Sequence, residues 1–220
     1  MITFIQLKKH PLIRAYISRT EDYMKYIGFT DHGFSHSEVV SERAGYLAKM
    51  CNMPKREQEL TQIAGYCHDM GNFMGRTQHH YWGAILFGQT LQSKMSPNEL
   101  TAVMQAIANH DKGDITIPSK ITACVVIADK SDVRRSRVFD HSRANLGKDI
   151  HDRVNHAVTA NELKIDKKKK TITLTLKIDT KRSAIEEYFE IFAERMSYCR
   201  HSAEVLGYKF GIVVNNVKLL

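Results

Sequence analysis

A mostly α fold with a small C-terminal ββαβ appendix is what this sequence predicts, and three observations carry the prediction. Up to about residue 149, apolar residues recur every three or four positions in segment after segment, the period of a helix with one face turned inward. Several of those segments begin or end with residues that satisfy the free backbone groups of helix termini. From about residue 150 the period changes to two, as in strands with one buried face. The expected division is a helical domain at 1–149 and a ββαβ appendix at 150–220.

Taken in order, residues 1–30 read as a helical start with Leu12, Tyr16, Arg19 and Tyr23 on one side, ending near Gly28. Ser35-His36-Ser37-Glu38 has the form of a capping box, and Val40, Ala44, Leu47 and Cys51 follow at helical spacing. Four residues before Val40 stands His36, which that spacing turns toward the core, while His32 falls in the preceding loop. Pro54 opens a helix whose stripe of Leu60, Ala64 and Cys67 runs into His68-Asp69, with Gly71 as the stop. Beyond a loop carrying Arg76, His80 shares a face with Ala84, Phe87 and Leu91, and His79 points elsewhere. Ser96-Pro97-Asn98-Glu99 forms a second capping box, with proline at the first helical position, and the stripe Leu100, Val103, Ile107 leads to His110. After Pro118, Ile121, Cys124, Val125 and Ala128 lead to Asp129, a carboxylate costly to bury without a cation.

In the appendix, the alternating segments 162–166 and 171–179 flank a turn at Lys167–Lys170 and read as a hairpin. A helix over 183–206 follows, with Ile185, Phe189, Phe192, Met196 and Cys199 inside. Gly207 ends it, and 208–217 reads as a last strand. The expected arrangement is one antiparallel sheet whose apolar face (Ile172, Leu174, Leu176, Ile178) is covered by that helix, the whole serving as a lid or a homodimer surface.

Composition narrows the function. No apolar run approaches the length needed to span a bilayer and no signal-peptide core is found, so no membrane partner is expected. Four cysteines (51, 67, 124 and 199) lie far apart inside apolar patterns, which favours reduced core thiols, a cytoplasmic location and no cysteine-type zinc site. A net charge of +8 attracts polyanions, whether nucleotides, phosphate esters or nucleic acid. No aromatic-basic or zinc-finger spacing points to a nucleic-acid reader. Eleven histidines are an excess that calls for a use.

A single histidine on an apolar face is more often a hydrogen-bonded core residue than a ligand. Here His36, His68, His80 and His110 each stand at an end of an apolar stripe on four different expected helices, and Asp69 and Asp129 join them. Imidazole nitrogen and carboxylate oxygen together suit Zn, Mn, Fe and similar divalent ions, with Mg also compatible.

The order His36, His68-Asp69, Asp129 resembles the H…HD…D signature of the HD-domain metal-dependent phosphohydrolase superfamily. The likeness extends to His-Gly-x-x-His at 32–36, Cys-His-Asp-Met-Gly at 67–71 and Ala-Asp-Lys at 128–130, and it covers roughly residues 30–140. It implies a helical HD core in which His36, His68, Asp69 and Asp129 hold a first ion and Asp69 bridges to a second. His80 and His110 match the added histidines of members with a binuclear centre. The sequence departs from the cyclic-dinucleotide branch: the Gly-Tyr-Pro triplet is missing and Asn72 stands where a lysine is usual.

The expected chemistry is hydrolysis of a phosphate ester or anhydride, with a nucleotide or similar small phosphorylated compound as substrate. Asp69 and Lys130 are the candidate catalytic residues. Arg76, Lys130, Arg134 and Arg137 are the candidate substrate-binding cations, the last three at i, i+4 and i+7 on a helix expected to continue past Asp129. The competing reading is a catalytically weak, metal-containing regulatory module that binds a nucleotide or nucleic acid.

Overall fold

In the computed structural model, which describes residues 1–113, 116–140, 146 and 149–219, the apolar stripes become helices packed face to face. They are α1 (Phe4–Lys8), α2 (Pro11–Tyr26), α3 (Phe34–Met50), α4 (Lys55–Cys67), α5 (His79–Leu91), α6 (Pro97–Ala108) and α7 (Lys120–Lys130), with short 3₁₀ turns at Asn72–Met74 and Arg135–Arg137. Residues 121–128 of α7 are all buried, so α7 is the central post, against which α3, α4 and α6 pack. A helix apolar all round belongs in a core. Among the described residues, no helix is long and apolar enough to cross a membrane.

Local chemistry accounts for several boundaries. Ser96 and Glu99 form the expected capping box at the start of α6. The box expected at Ser35–Glu38 does not form. α3 starts two residues earlier, at Phe34, with Gly33 in the cap position, Asp31 Oδ1 accepts the Gly33 N–H at 2.7 Å, and Glu38 pairs instead with Lys8. The inner face of α2 is also shifted by one position. Ile13, Ile17, Thr20 and Met24 are buried, while Leu12 is exposed. The expected row was drawn through tyrosines, and the true row contains Thr20, which reads as polar but buries its hydroxyl by donating to the Met70 carbonyl at 3.2 Å.

The C-terminal part comprises α8 (Ile150–Ala157), β1 (Val158–Asp166), β2 (Thr171–Ile178), α9 (Ile185–Val205), β3 (Lys209–Val214) and β4 (Val217–Lys218), in a four-stranded sheet of order β1-β2-β3-β4. The hairpin and its turn lie where expected, with β1 longer than its alternating segment and preceded by α8. The last strand differs from expectation: β3 runs parallel to β2, pairing Ile172 with Phe210 and Leu174 with Ile212. A strand that returns through a crossover helix re-enters its sheet in the same direction, and α9 is that crossover. The buried row Ile172, Leu174, Leu176, Ile178, Phe210, Ile212 and Val214 belongs to the same continuous core as α7, and α9 contacts both β3 and α7. Along α9, Tyr188, Phe192, Met196, Cys199 and Ala203 are buried, whereas Ile185 and Phe189 are only half-buried.

Candidate metal centre

Four imidazoles converge on one carboxylate. α3 contributes His36 from its first turn, α4 delivers His68 at its C-cap with Asp69 next, α5 begins at His79, and His110 follows the end of α6. Asp69 faces both sides of the cluster. Its Oδ2 lies 3.2 Å from His68 Nε2 and 3.5 Å from His36 Nε2, and its Oδ1 lies 3.1 Å from His79 Nε2 and 3.5 Å from His110 Nε2. Asp129, in the last turn of α7, closes the first side with Oδ1 3.3 Å from His36 Nε2.

The outer nitrogen of each ring is held. His36 Nδ1 donates to Asp132 Oδ2 at 2.7 Å, His68 Nδ1 to the Gly65 carbonyl at 2.8 Å, His79 Nδ1 to the Arg76 carbonyl at 3.0 Å and His110 Nδ1 to the Ile107 carbonyl at 2.7 Å. With the proton fixed on Nδ1, each Nε2 turns a lone pair inward. Yet His36 and His68 Nε2 are 3.2 Å apart, as are those of His79 and His110. Two lone pairs at that distance repel, and a cation between them removes the conflict. This is the arrangement of metal-binding histidines oriented by outer partners. Ligand atoms within 4.8 Å of one another define the groups His36-His68-Asp69, His68-His110-Asp129 and Asp69-His79-His110, so the residues present fit divalent ions.

Electrostatics agree. Burial raises the carboxyls of Asp69 and Asp129, but for Asp69 the histidines, and for Asp129 Lys130 and the histidines, outweigh it and hold both well below the carboxylate range. Burial lowers His68, but Asp69 and Asp129 push it up to about 10, so without an ion a proton on His68 serves as the missing cation.

The structure thus brings together five of the six expected ligands and exchanges the sixth. His79, not His80, faces Asp69 and His110; among the described residues His80 has its Nδ1 buried without a hydrogen-bond partner, and burial lowers its pKa to about 4. The reason lies in the glycines. His79, Gly83 and Phe87 form an inner row beside His80, Ala84 and Phe87, but a glycine gives no apolar signal. A Cβ on Gly71 would lie 2.2 Å from the His79 carbonyl and 2.4 Å from Gly83 N. Gly71 is right-handed, with φ −84°, so its role is this close approach rather than a left-handed helix stop. The contact places the start of α5 against the His68-Asp69 corner.

The expected cations separate as well. α7 ends at Lys130, so Lys130, Arg134 and Arg137 do not share a helix face. Lys130 is buried, with its ammonium between Asp111 and Asp129 Oδ2, 3.0 Å from the latter. Arg134 turns away to Asp132 Oδ1 at 2.8 Å and Ser35 Oγ at 2.9 Å. Arg137 donates to the carbonyls of Asp31 and Asp132 at 2.7–3.0 Å. Arg76 stays at the other side of the cluster: it donates to Asn72 Oδ1 at 3.0 Å, and Asn72 donates to Asp69 Oδ1 at 2.9 Å. Asp132 and Asp111 carry no signal in the sequence pattern, because they lie beyond helix ends.

Residues 33–134 match the family model of the HD domain. This segment is an HD domain. The domain defines a metal-dependent phosphohydrolase superfamily, and the matched stretch contains all seven residues of the cluster: His36, His68, Asp69, His79, His110, Asp129 and, behind His36, Asp132. The chain is also similar to the uncharacterized protein MJ1020 of Methanocaldococcus jannaschii, at 27% identity over 158 residues, covering 61% of this chain and 58% of that protein. It therefore spans less than two thirds of that relative's length.

Proposed function

We propose that the protein hydrolyses a phosphate ester or anhydride of a small compound, a nucleotide being the class its basic charge favours, at a centre of two divalent ions with water as nucleophile. The observation that carries the reading is the four inward Nε2 atoms, each locked by its outer hydrogen bond and grouped in two pairs around the two oxygens of one carboxylate. Divalent ions, when bound, lower the pKa of water from ~15.7 toward ~7 and polarise a phosphoryl oxygen.

His36, His68, Asp129 and Asp69 Oδ2 make one donor set; His79, His110 and Asp69 Oδ1 make the other. The imidazoles must be neutral to donate, so loading displaces the proton from His68. Lys130 fixes Asp129 and Asp111, and is a positioning residue rather than a free cation at the reacting phosphate. Asn72 holds Asp69 on one side and Arg76 on the other, which keeps a guanidinium beside the centre for a phosphate oxygen. His32, whose Nδ1 donates to the Thr30 carbonyl at 2.6 Å, is kept neutral by burial and by Arg137. Its Nε2 thus offers an uncharged acceptor for water.

The test is metal analysis of protein purified without chelator or affinity histidines, followed by phosphate release from a panel of esters, nucleotides and pyrophosphate with added Mn or Fe. Two ions per chain and turnover on at least one anhydride or ester are expected. Stoichiometric metal with no turnover on any member would move the protein to the regulatory-module class.

A further inference from the structure

The cleft beside the metal cluster has a wall that the HD segment does not supply. A cavity of about 120 Å³ is enclosed by Arg76 from the HD segment, by His32 and Arg137 that flank that segment, by Asp149, His151 and Asp152 at the start of α8, and by Arg195 from the middle of α9. Arg195 differs from every other cation there. Arg76 is bonded to Asn72, and Arg137 to two carbonyls. Arg195 stacks on the Phe192 ring at 4.6 Å, which fixes its plane, and among the described residues it makes no hydrogen bond and no ion pair. Five donors in a half-buried guanidinium are thus left without protein acceptors among the described residues.

The nearby carboxylates do not answer it. Asp149 caps α8 by accepting the His151 and Asp152 N–H groups, and Asp111 and Asp129 are paired with Lys130. Burial lowers the Arg195 pKa, Asp129 and Asp111 work against that, and Arg137 and Arg76 add to it. Its electrostatic neighbours are therefore the metal-side carboxylates and the other two arginines of the cleft. A partly desolvated guanidinium in this position gains from an anion placed beside it. A fixed planar fork matches the geometry of phosphate.

We propose that Arg195 is the specificity-determining anion receptor of this site: it takes the phosphate adjoining the one at the metal centre, so the substrate is a phosphoanhydride rather than a simple monoester. The inference rests on the phosphohydrolase reading above. The cavity volume supports it, because sites that enclose a whole organic ligand run ~300–1,000 Å³. A space of about 120 Å³ suits a phosphate group, with the remainder of the substrate outside. The C-terminal part of the chain thereby completes the site by contributing a ligand-binding side chain.

The experiment uses the full chain loaded with Mn and titrates inorganic pyrophosphate and orthophosphate calorimetrically into wild type, Arg195→Ala, Arg195→Lys and Arg195→Met. Expected is a loss of pyrophosphate affinity of roughly tenfold or more in the Ala and Met variants and a smaller loss in Lys, with orthophosphate weakened at most about threefold and metal content unchanged. Met keeps the stem packed on Phe192, so the test stands even if the Ala variant does not fold. With adenosine triphosphate, KM should rise by the same factor while kcat changes less. Unchanged pyrophosphate affinity, or equal loss for both anions, overturns the assignment. If wild type takes up metal and pyrophosphate but hydrolyses nothing, the hydrolase reading fails while the binding arm still decides Arg195.

Discussion

The two sides of the metal cluster are built differently, and the difference shows what a sequence can encode plainly. On the His36 side, the ligands sit on or directly beside helices with long apolar stripes, and the outer support of His36 is a buried carboxylate, Asp132. On the His79 side, the outer supports are backbone carbonyls of Arg76 and Ile107, and the geometry depends on glycines that allow two backbones to touch. Apart from the Gly65 carbonyl behind His68, the first side is specified by side chains, and the second by the space between main chains.

The strongest way to break the comparison is Gly71→Ala. The new methyl would meet the His79 carbonyl and Gly83 N, both backbone atoms that cannot swing aside. Overpacking of this kind costs about 3 kcal/mol or more, which lowers the melting temperature by ~6–12 °C at this chain length. Where the variant still folds, α5 is displaced and the second ion is lost before the first. A melting temperature within about 2 °C of wild type, with metal content intact, would show that this contact does not set the position of α5.

The pair His79→Ala and His80→Ala sharpens it. Removing His79 should reduce bound metal from two ions to one per chain, and removing His80 should leave two, as measured by elemental analysis after gel filtration. The reverse result would return the ligand role to His80.

These residues also show how far the site was legible before the structure. His36, His68, Asp69, His110 and Asp129 stand at the ends of apolar stripes, so helical spacing alone located them. His79 was hidden because its row runs through Gly83, and a glycine adds no apolar side chain to a helix face. Asp132 and Asp111 were hidden because position beyond a helix end is set by tertiary packing. The hairpin was legible from its period of two, but the parallel pairing of β3 was not, since alternation is the same in either direction. Arg195 lies on a helix whose exposed face carries many charges, and only the cleft distinguishes it from Glu194 or Arg200.

A smaller effect is expected for Asp132→Asn. The amide oxygen still accepts from His36 Nδ1, but the charge that makes the ring a better donor is gone. Substitutions at such outer partners lower metal affinity by ~10–100-fold. Competition with a chelator should show that loss confined to one ion of the two. A uniform loss of both would mean that the two sides are not independent.

The last contact lies outside both sides and shows how much of any loss is general loosening. Glu187 joins the start of α9 to α8: it accepts from Arg153 Nε at 3.0 Å, from Ser183 Oγ at 2.7 Å and from the Ala184 N–H at 3.1 Å. The Arg153 hydrogen bond, then Ser183, lowers its pKa from 4.5 to about 2. A carboxylate depressed in the folded state adds stability that is fully present above the unfolded pKa and disappears as pH falls through the folded one. The window is therefore pH 4.5 down to about 2. A partly exposed pair of this kind contributes on the order of 1 kcal/mol, or ~2–4 °C of melting temperature. Glu187→Gln should therefore melt a few degrees below wild type at pH 7 in chelator, with the gap closing as pH falls toward 3, and should bind the same two ions. A gap that stays constant with pH would assign the loss to the cap geometry of α9 instead of to the charge.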